Sequence, residues 1–197
     1  MSDRPELIIS DLASDIARDH AKKSFEKKEE SFDVKFDLIE ADDPLLREEL
    51  EEFNFLDPPT DSIQLAVDLT EHMLYYNGMG LAANQLGLPY RAFAVKANPV
   101  IVCYNPVIVD SSSDNVLLEE GCLTFPGLLF KVKRPEWIKI RYQEPNGEVV
   151  TKIYSGMTAR IMQHETDHLD GVMFIDRVSN LVLDMARKKA KKHGYGN

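Results

Sequence analysis

His164, Glu165 and His168 stand in the run His-Glu-Thr-Asp-His, within MTARIMQHETDHLDG, whose pattern predicts a helix from just after Gly156 to Gly171. Four residues make about one helical turn, so the two imidazoles project from one face, where a single metal ion can take both. Glu165 is rotated ~100° from His164. It therefore stands beside such an ion without being forced into its ligand set, as a general base acting on activated water should. The same five residues also fit two surface histidines on an amphipathic helix, so the pattern needs a third ligand to gain meaning.

A catalytic ion usually takes three protein ligands and leaves one position for water. Downstream, the candidates are Asp170, Asp176, Asp184 and His193. Asp170 follows too closely for easy geometry, and His193 sits in a basic stretch, a poor place for a cation. Upstream, Cys122 lies in EEGCLTFPG, where glycines allow a tight turn that presents a thiolate. Cys103, in the apolar run VIVCYNP, reads as a small core residue. A third segment, NGMGLAANQLGLP (77–89), is neither a P-loop nor a G-x-G-x-x-G after a strand. Its small residues permit close backbone approach. Gln85 there offers a neutral amide donor, equally suited to satisfying a core position.

The elements that must hold these residues follow from periodicity. DPPTDS (57–62) offers an N-cap at Thr60 or Asp61. The helix that follows carries Ile63, Ala66, Val67, Thr70, Met73 and Leu74 as its apolar stripe and ends near Asn77-Gly78. Short β-type runs occupy 91–95, 100–109, 116–120 and 128–132. WIKIRY alternates, with Ile138, Ile140 and Tyr142 on one face, and EPNG turns it into a hairpin over 137–153. A last helix, roughly 178–193, stacks Val178, Leu181, Val182 and Met185 on one side. The expected class is α+β: mixed or antiparallel sheets packed around the central H-E-x-x-H helix, with a C-terminal helix. A charged leader (1–35), a catalytic domain (36–185) and a basic tail (186–197) divide the 197-residue chain.

The net charge is −10, which argues against wholesale capture of nucleic acid. The tail alone holds five cations and no acid, so the rest of the chain carries −15. No stretch approaches the ~20 apolar residues that span a membrane. Acids punctuate the N-terminus, which lacks the apolar centre of an export signal, so a cytoplasmic location with reduced cysteines is expected.

Three segments in this order resemble the peptide deformylases, metalloenzymes that remove the formyl group from nascent N-formylmethionyl chains. The family motifs G-x-G-L-A-A-x-Q, E-G-C-L-S and H-E-x-D-H-x-x-G stand here as residues 78–85, 120–124 and 164–171, with Thr124 in place of Ser. ADDPLLREEL, RPEWIKIRY and Gln163 fit the family as well, and the likeness covers about residues 36–185. It implies metal ligation by Cys122, His164 and His168, proton transfer by Glu165, and oxyanion donors from the Gln85 side chain and the Leu123 N–H. It further implies substrate contacts at Gly78, Gly80 and Leu81, with the methionine side chain against Met79, Met157, Ile161 and the His164 ring. Glu120 and Arg134 would pair behind the ligands. The implied ion is Fe(II), with Zn(II), Ni(II) or Co(II) also accepted by these donors. The implied partner is the formylated nascent peptide; the charge of the basic tail adds an expected ribosome contact, with no sequence-specific nucleic-acid binding. A catalytically silent ribosome- or peptide-binding relative, and an H-E-x-x-H zinc peptidase, are the other readings.

Overall fold

The run Ala92–Val95 is buried at every position, which a strand achieves only when both faces of its sheet are covered. In the computed structural model, which describes residues 35–192, two helices supply that cover. In chain order the elements are α1 (Ser62–Tyr75), β1 (Gly80–Ala82), β2 (Ala92–Val95), β3 (Ile101–Ser111), β4 (Asn115–Glu120), β5 (Phe130–Pro135), β6 (Trp137–Gln143), β7 (Val149–Ser155), α2 (Gly156–Leu169) and α3 (Asn180–Lys192). Short 3-10 turns lie at Pro44–Arg47, Ala83–Leu86 and Phe174–Arg177. One antiparallel sheet has the order β1-β2-β3-β6-β7, and β4 and β5 form a second, two-stranded sheet.

On one face of the large sheet Phe93, Val95, Cys103, Ile138, Ile140 and Tyr142 pack with Ala159, Met162 and Leu169 of α2. On the other, Ala92, Ala94 and Tyr104 pack with Leu65, Leu69 and Met73 of α1. A third cluster joins Phe130 and Val132 of β5 to Phe174, Ile175 and Ala190. The expected hairpin is present, with β6 paired to β7 from Trp137↔Ser155 to Gln143↔Val149. Ile138, Ile140 and Tyr142 face inward. The α+β class and the central position of the H-E-x-x-H helix agree with the sequence reading.

Two helix faces differ from it. Asp61 caps α1, accepting from the N–H groups of Ile63 and Gln64, but Ile63 and Val67 are 54% and 42% exposed. The buried stripe instead runs through Leu65, Leu69 and Met73 and includes His72, fully buried. Its Nδ1 lies 2.6 Å from the Asp68 carbonyl, and its Nε2 accepts from Phe36 N–H at 3.0 Å. A satisfied polar residue on the inner face moved the stripe away from the one apolar counting picks out. In α3, Leu183, Ala186 and Ala190 face the core, whereas Leu181 and Met185 are 70% and 64% exposed. Alanines there are small enough to seat the helix closely. The strands expected at 100–109 and 128–132 are Ile101–Ser111 and Phe130–Pro135. The β1 strand was not anticipated, and the leader, apart from Lys35, lies outside the described residues, as does His193. Among the described residues no helix is long and apolar enough to cross a membrane.

Candidate metal centre and active site

α2 presents His164 and His168 one turn apart, their rings 5.1 Å from centre to centre. The turn after β4 brings Cys122 to them, with Sγ 3.3 Å from His168 Nε2. One ligand atom each from Cys122, His164 and His168 lie within 4.8 Å of one another. His164 Nδ1 faces the Glu120 carboxylate, donating to Oε2 at 3.0 Å, so its Nε2 is the nitrogen left for the cluster. A thiolate with two neutral imidazoles is a donor set that fits a divalent transition-metal ion. The rival ligands stand elsewhere: Asp170 pairs with Arg91, Asp176 with Arg47, and Asp184 is exposed on α3. Cys103 is fully buried in the sheet.

Charge is arranged to suit a cation. Burial pushes the Cys122 thiol up, but the charge of His168 and hydrogen bonds from His164 and His168 carry it well below the usual thiol range. Burial works against a charged His164, yet hydrogen bonds to Cys122 and Glu120 outweigh it and raise the imidazole to about 10. A metal ion takes over the role of those imidazole protons. Glu165 is the opposite case: burial pushes its carboxyl up to about 7, partly offset by His164 and His168. Among the described residues, no group hydrogen-bonds its Oε2.

Behind the ligands, Glu120 is the centre of a buried ionic network. Arg134 donates to it from Nε at 2.7 Å and from Nη2 at 2.9 Å. Arg160 Nη1 adds a bond of 2.9 Å. Burial opposes ionisation, but the hydrogen bonds from His164, Arg134 and Arg160 hold Glu120 far below the carboxylate range. Arg134 also reaches Asp167 at 2.7 Å, and Arg177 grips the same carboxylate. Arg160, Asp167 and Arg177 were not singled out in the sequence. Arg160 lies four residues before His164 on the same helical face, which was the available signal.

Gln85 is fixed by its own turn. Its Oε1 accepts the Ala82 N–H at 2.9 Å, so Nε2 faces Thr124 Oγ1 at 3.0 Å and Cys122 Sγ at 3.6 Å. Thr124 therefore touches the amide donor directly, a contact its sequence position did not reveal. Asn84 donates to the His168 carbonyl at 2.7 Å, tying this turn to the end of α2. A cavity of about 380 Å³ opens over these groups. Gly78, Met79, Gly80, Gln85, Glu120, Cys122, Leu123, Met157, Ile161, His164 and Glu165 all line it; Leu81, Arg134 and His168 are buried and do not line it. Met79 and Met157 are 51% and 53% exposed, so they form its rim, whereas Ile161 is buried. Leu128 and Leu129, not anticipated, complete the apolar side. Among the described residues β1 is the outer strand of its sheet, and an edge strand of that kind can accept another extended chain.

Residues 35–183 match the family model described as polypeptide deformylase. The peptide deformylase of Thermotoga petrophila is 38% identical over 149 residues, 75% of this chain and 89% of that protein. That of Synechocystis is 38% identical over 142 residues, covering 68% and 75%. Among solved structures, a Synechococcus elongatus peptide deformylase in complex with actinonin superposes with a TM-score of 0.74 at 33% identity, covering 83% of this chain and 88% of that one. The Thermus thermophilus enzyme gives 0.72 at 33% identity, covering 80% and 93%.

Proposed function

The chain belongs to the polypeptide deformylase family, whose metal-dependent members remove the formyl group from nascent peptides, and we propose that Cys122, His164 and His168 hold the ion while Glu165 moves the proton. The observation that carries this reading is the convergence of those three ligand atoms within 4.8 Å beside a buried carboxylate whose Oε2 has no hydrogen-bond partner among the described residues. A divalent ion in such a site acts as a Lewis acid and makes water a nucleophile near neutral pH. Fe(II) is the physiological ion on this reading, by resemblance to the family; Zn(II), Ni(II) and Co(II) suit the same donors.

The chain's own groups then divide the work. The peptide backbone lies along the outer edge of β1 at Gly80 and Leu81, and Gly78, where a Cβ would meet the Gly80 carbonyl oxygen at 2.8 Å, lets the turn into that strand close beside it. The methionine side chain enters the apolar side of the cavity, between Ile161 and the His164 ring, with Met79 and Met157 at the mouth. Gln85 Nε2 and the Leu123 N–H donate to the formyl oxygen as negative charge develops there; losing one such donor typically costs ~3 kcal/mol of barrier. Glu165 accepts a proton from the attacking water and returns it to the departing amine nitrogen. The C–N bond breaks, giving formate and a free amino terminus. Glu120 and Arg134 orient His164 from behind.

Residues 36–185 form the catalytic domain on this reading, in a cytoplasmic setting. The basic end of α3 is a docking handle for the ribosome, supported by its local charge. Ala186 and Ala190 pack on the core, so neutralising Arg187, Lys188 and Lys191 is a better probe than truncation. That change should weaken salt-sensitive ribosome binding and spare short-peptide turnover. The function itself is tested by anaerobic, metal-loaded protein with formyl-Met-Ala-Ser and its acetyl counterpart. Formate from the first and no cleavage of the second is expected. Cleavage of acetyl or internal bonds would favour a peptidase, and no formate at all would favour a silent binding protein.

A further inference from the structure

A second cavity, of about 640 Å³, opens beside the catalytic one. The two meet at Glu119 and Leu129, which line both. Its floor is the outer face of the β4–β5 sheet. The antiparallel register sets Leu117 opposite Lys133 and Glu119 opposite Lys131. The two-residue period of a strand keeps all four on the face opposite buried Phe130 and Val132. Its wall is α3, through Met185 and Lys189.

Two properties of this groove call for an occupant. Leu117, Leu129 and Met185 are 57%, 59% and 64% exposed, large apolar side chains gathered around one concavity rather than scattered. Lys131, Lys133 and Lys189 set three cations against Glu119, while Arg177 on the same rim is already engaged by Asp167. On a chain of net charge −10, the surface leading out of the catalytic cavity is locally positive.

We propose that this groove binds the residues of a formylated peptide that follow those in the catalytic cavity, favouring acidic side chains among apolar ones. The proposal rests on the deformylase reading and extends it to the downstream chain. Extended peptide advances about 3.3 Å per residue with side chains alternating in direction. A chain leaving past Glu119 and Leu129 therefore turns one series of side chains to the sheet face, where Leu117 stands opposite Lys133, and the other to the α3 wall, where Met185 and Lys189 lie one turn apart. The acidic preference begins beyond Glu119, whose own charge opposes it at the ridge. Nucleic acid fits less well, because a phosphate backbone satisfies the lysines and leaves the apolar floor uncovered.

The test compares kcat/KM for formyl-Met-Ala-Ser with that for longer formyl peptides carrying Asp, Ser or Lys at alternate positions after the same tripeptide. The Asp peptide should exceed the Ser peptide by about three- to five-fold, as a pair of exposed ion pairs allows, with the Lys peptide below both. The double change Lys131→Glu and Lys133→Glu, at exposed positions outside the catalytic cavity, should reverse that order and leave the tripeptide unchanged. Equal rates across the long peptides, or an Asp preference that survives charge reversal, would overturn the proposal. So would a flat peptide series combined with lost ribosome binding in the double variant, which would assign the groove to RNA. Failure of the tripeptide to react would instead remove the deformylase reading itself.

Discussion

Gly80 lies so close to Glu165 that a Cβ built on it would collide with the carboxylate Oε1. The same atom would meet Ile161 Cγ2 at 2.7 Å. The glycine is required by the buried carboxylate packed against β1. Gly80→Ala should displace either Glu165 or the strand edge, and a misplacement of about 1 Å near the reacting atoms can cost ~100-fold in rate. Deformylation kinetics with an unchanged circular-dichroism spectrum would fit; near-normal kcat/KM would show that the contact is soft.

Glu165 carries a second consequence, for stability. In the metal-free protein burial raises its carboxyl from the ordinary 4.5 to about 7. A raised folded-state value means that its stabilising contribution is complete below the unfolded value and is lost as pH rises through 7. The change amounts to about 3 kcal/mol at most. Glu165→Gln should therefore stabilise the metal-free protein at pH above 8 and change it little near pH 5. Thermal unfolding at the two pH values measures this, and an equal effect at both would refute it.

The paired arginines behind the ligands make another prediction. Arg134 is 4% exposed and engages both Glu120 and Asp167. Removing one partner of a buried ion pair leaves uncompensated charge and typically costs about 3–5 kcal/mol. Arg134→Met should lose that much in denaturant unfolding and also loosen metal retention through His164. A loss below about 1 kcal/mol, the range of exposed pairs, would mean that the network is solvated.

The two cysteines should differ sharply. Burial pushes the Cys103 thiol well up, whereas Cys122 is held well down by the neighbouring histidines. In metal-free native protein a thiol reagent should modify Cys122 first, with metal protecting it, and Cys103 only on unfolding. Cys122→Ser should lose metal and Cys103→Ser should keep it. Equal metal loss from both would mean that the ligand assignment is wrong.

How much of this the chain announced depends on distance along it. His164, Glu165 and His168 are spaced by one helical turn, so their convergence follows from local geometry alone. The antiparallel hairpin at 137–155 is likewise written in alternation and a turn. The pairing of Glu120 with Arg134 follows from the family likeness, but the addition of Arg160 and the binding of Asp167 by Arg177 depend on how distant elements stack, and charge by itself names no partner. β1 escaped notice because Gly-Leu-Ala is too short to show a period and draws its strand character from pairing with β2. The face of α1 differs from the apolar count because buried Asp68 and His72 interrupt its Leu65, Leu69 and Met73 row, and that of α3 because small Ala186 and Ala190 hold it to the core.

The most direct measurement sets metal-loaded wild type beside Glu165→Ala under anaerobic conditions, following formate release from formyl-Met-Ala-Ser and metal content in the same samples. Loss of a general acid–base group should lower kcat by about 100- to 10,000-fold, while Cys122, His164 and His168 keep one ion per chain. Formate released at a comparable rate by both proteins would contradict the role given to Glu165 and, with it, the central claim.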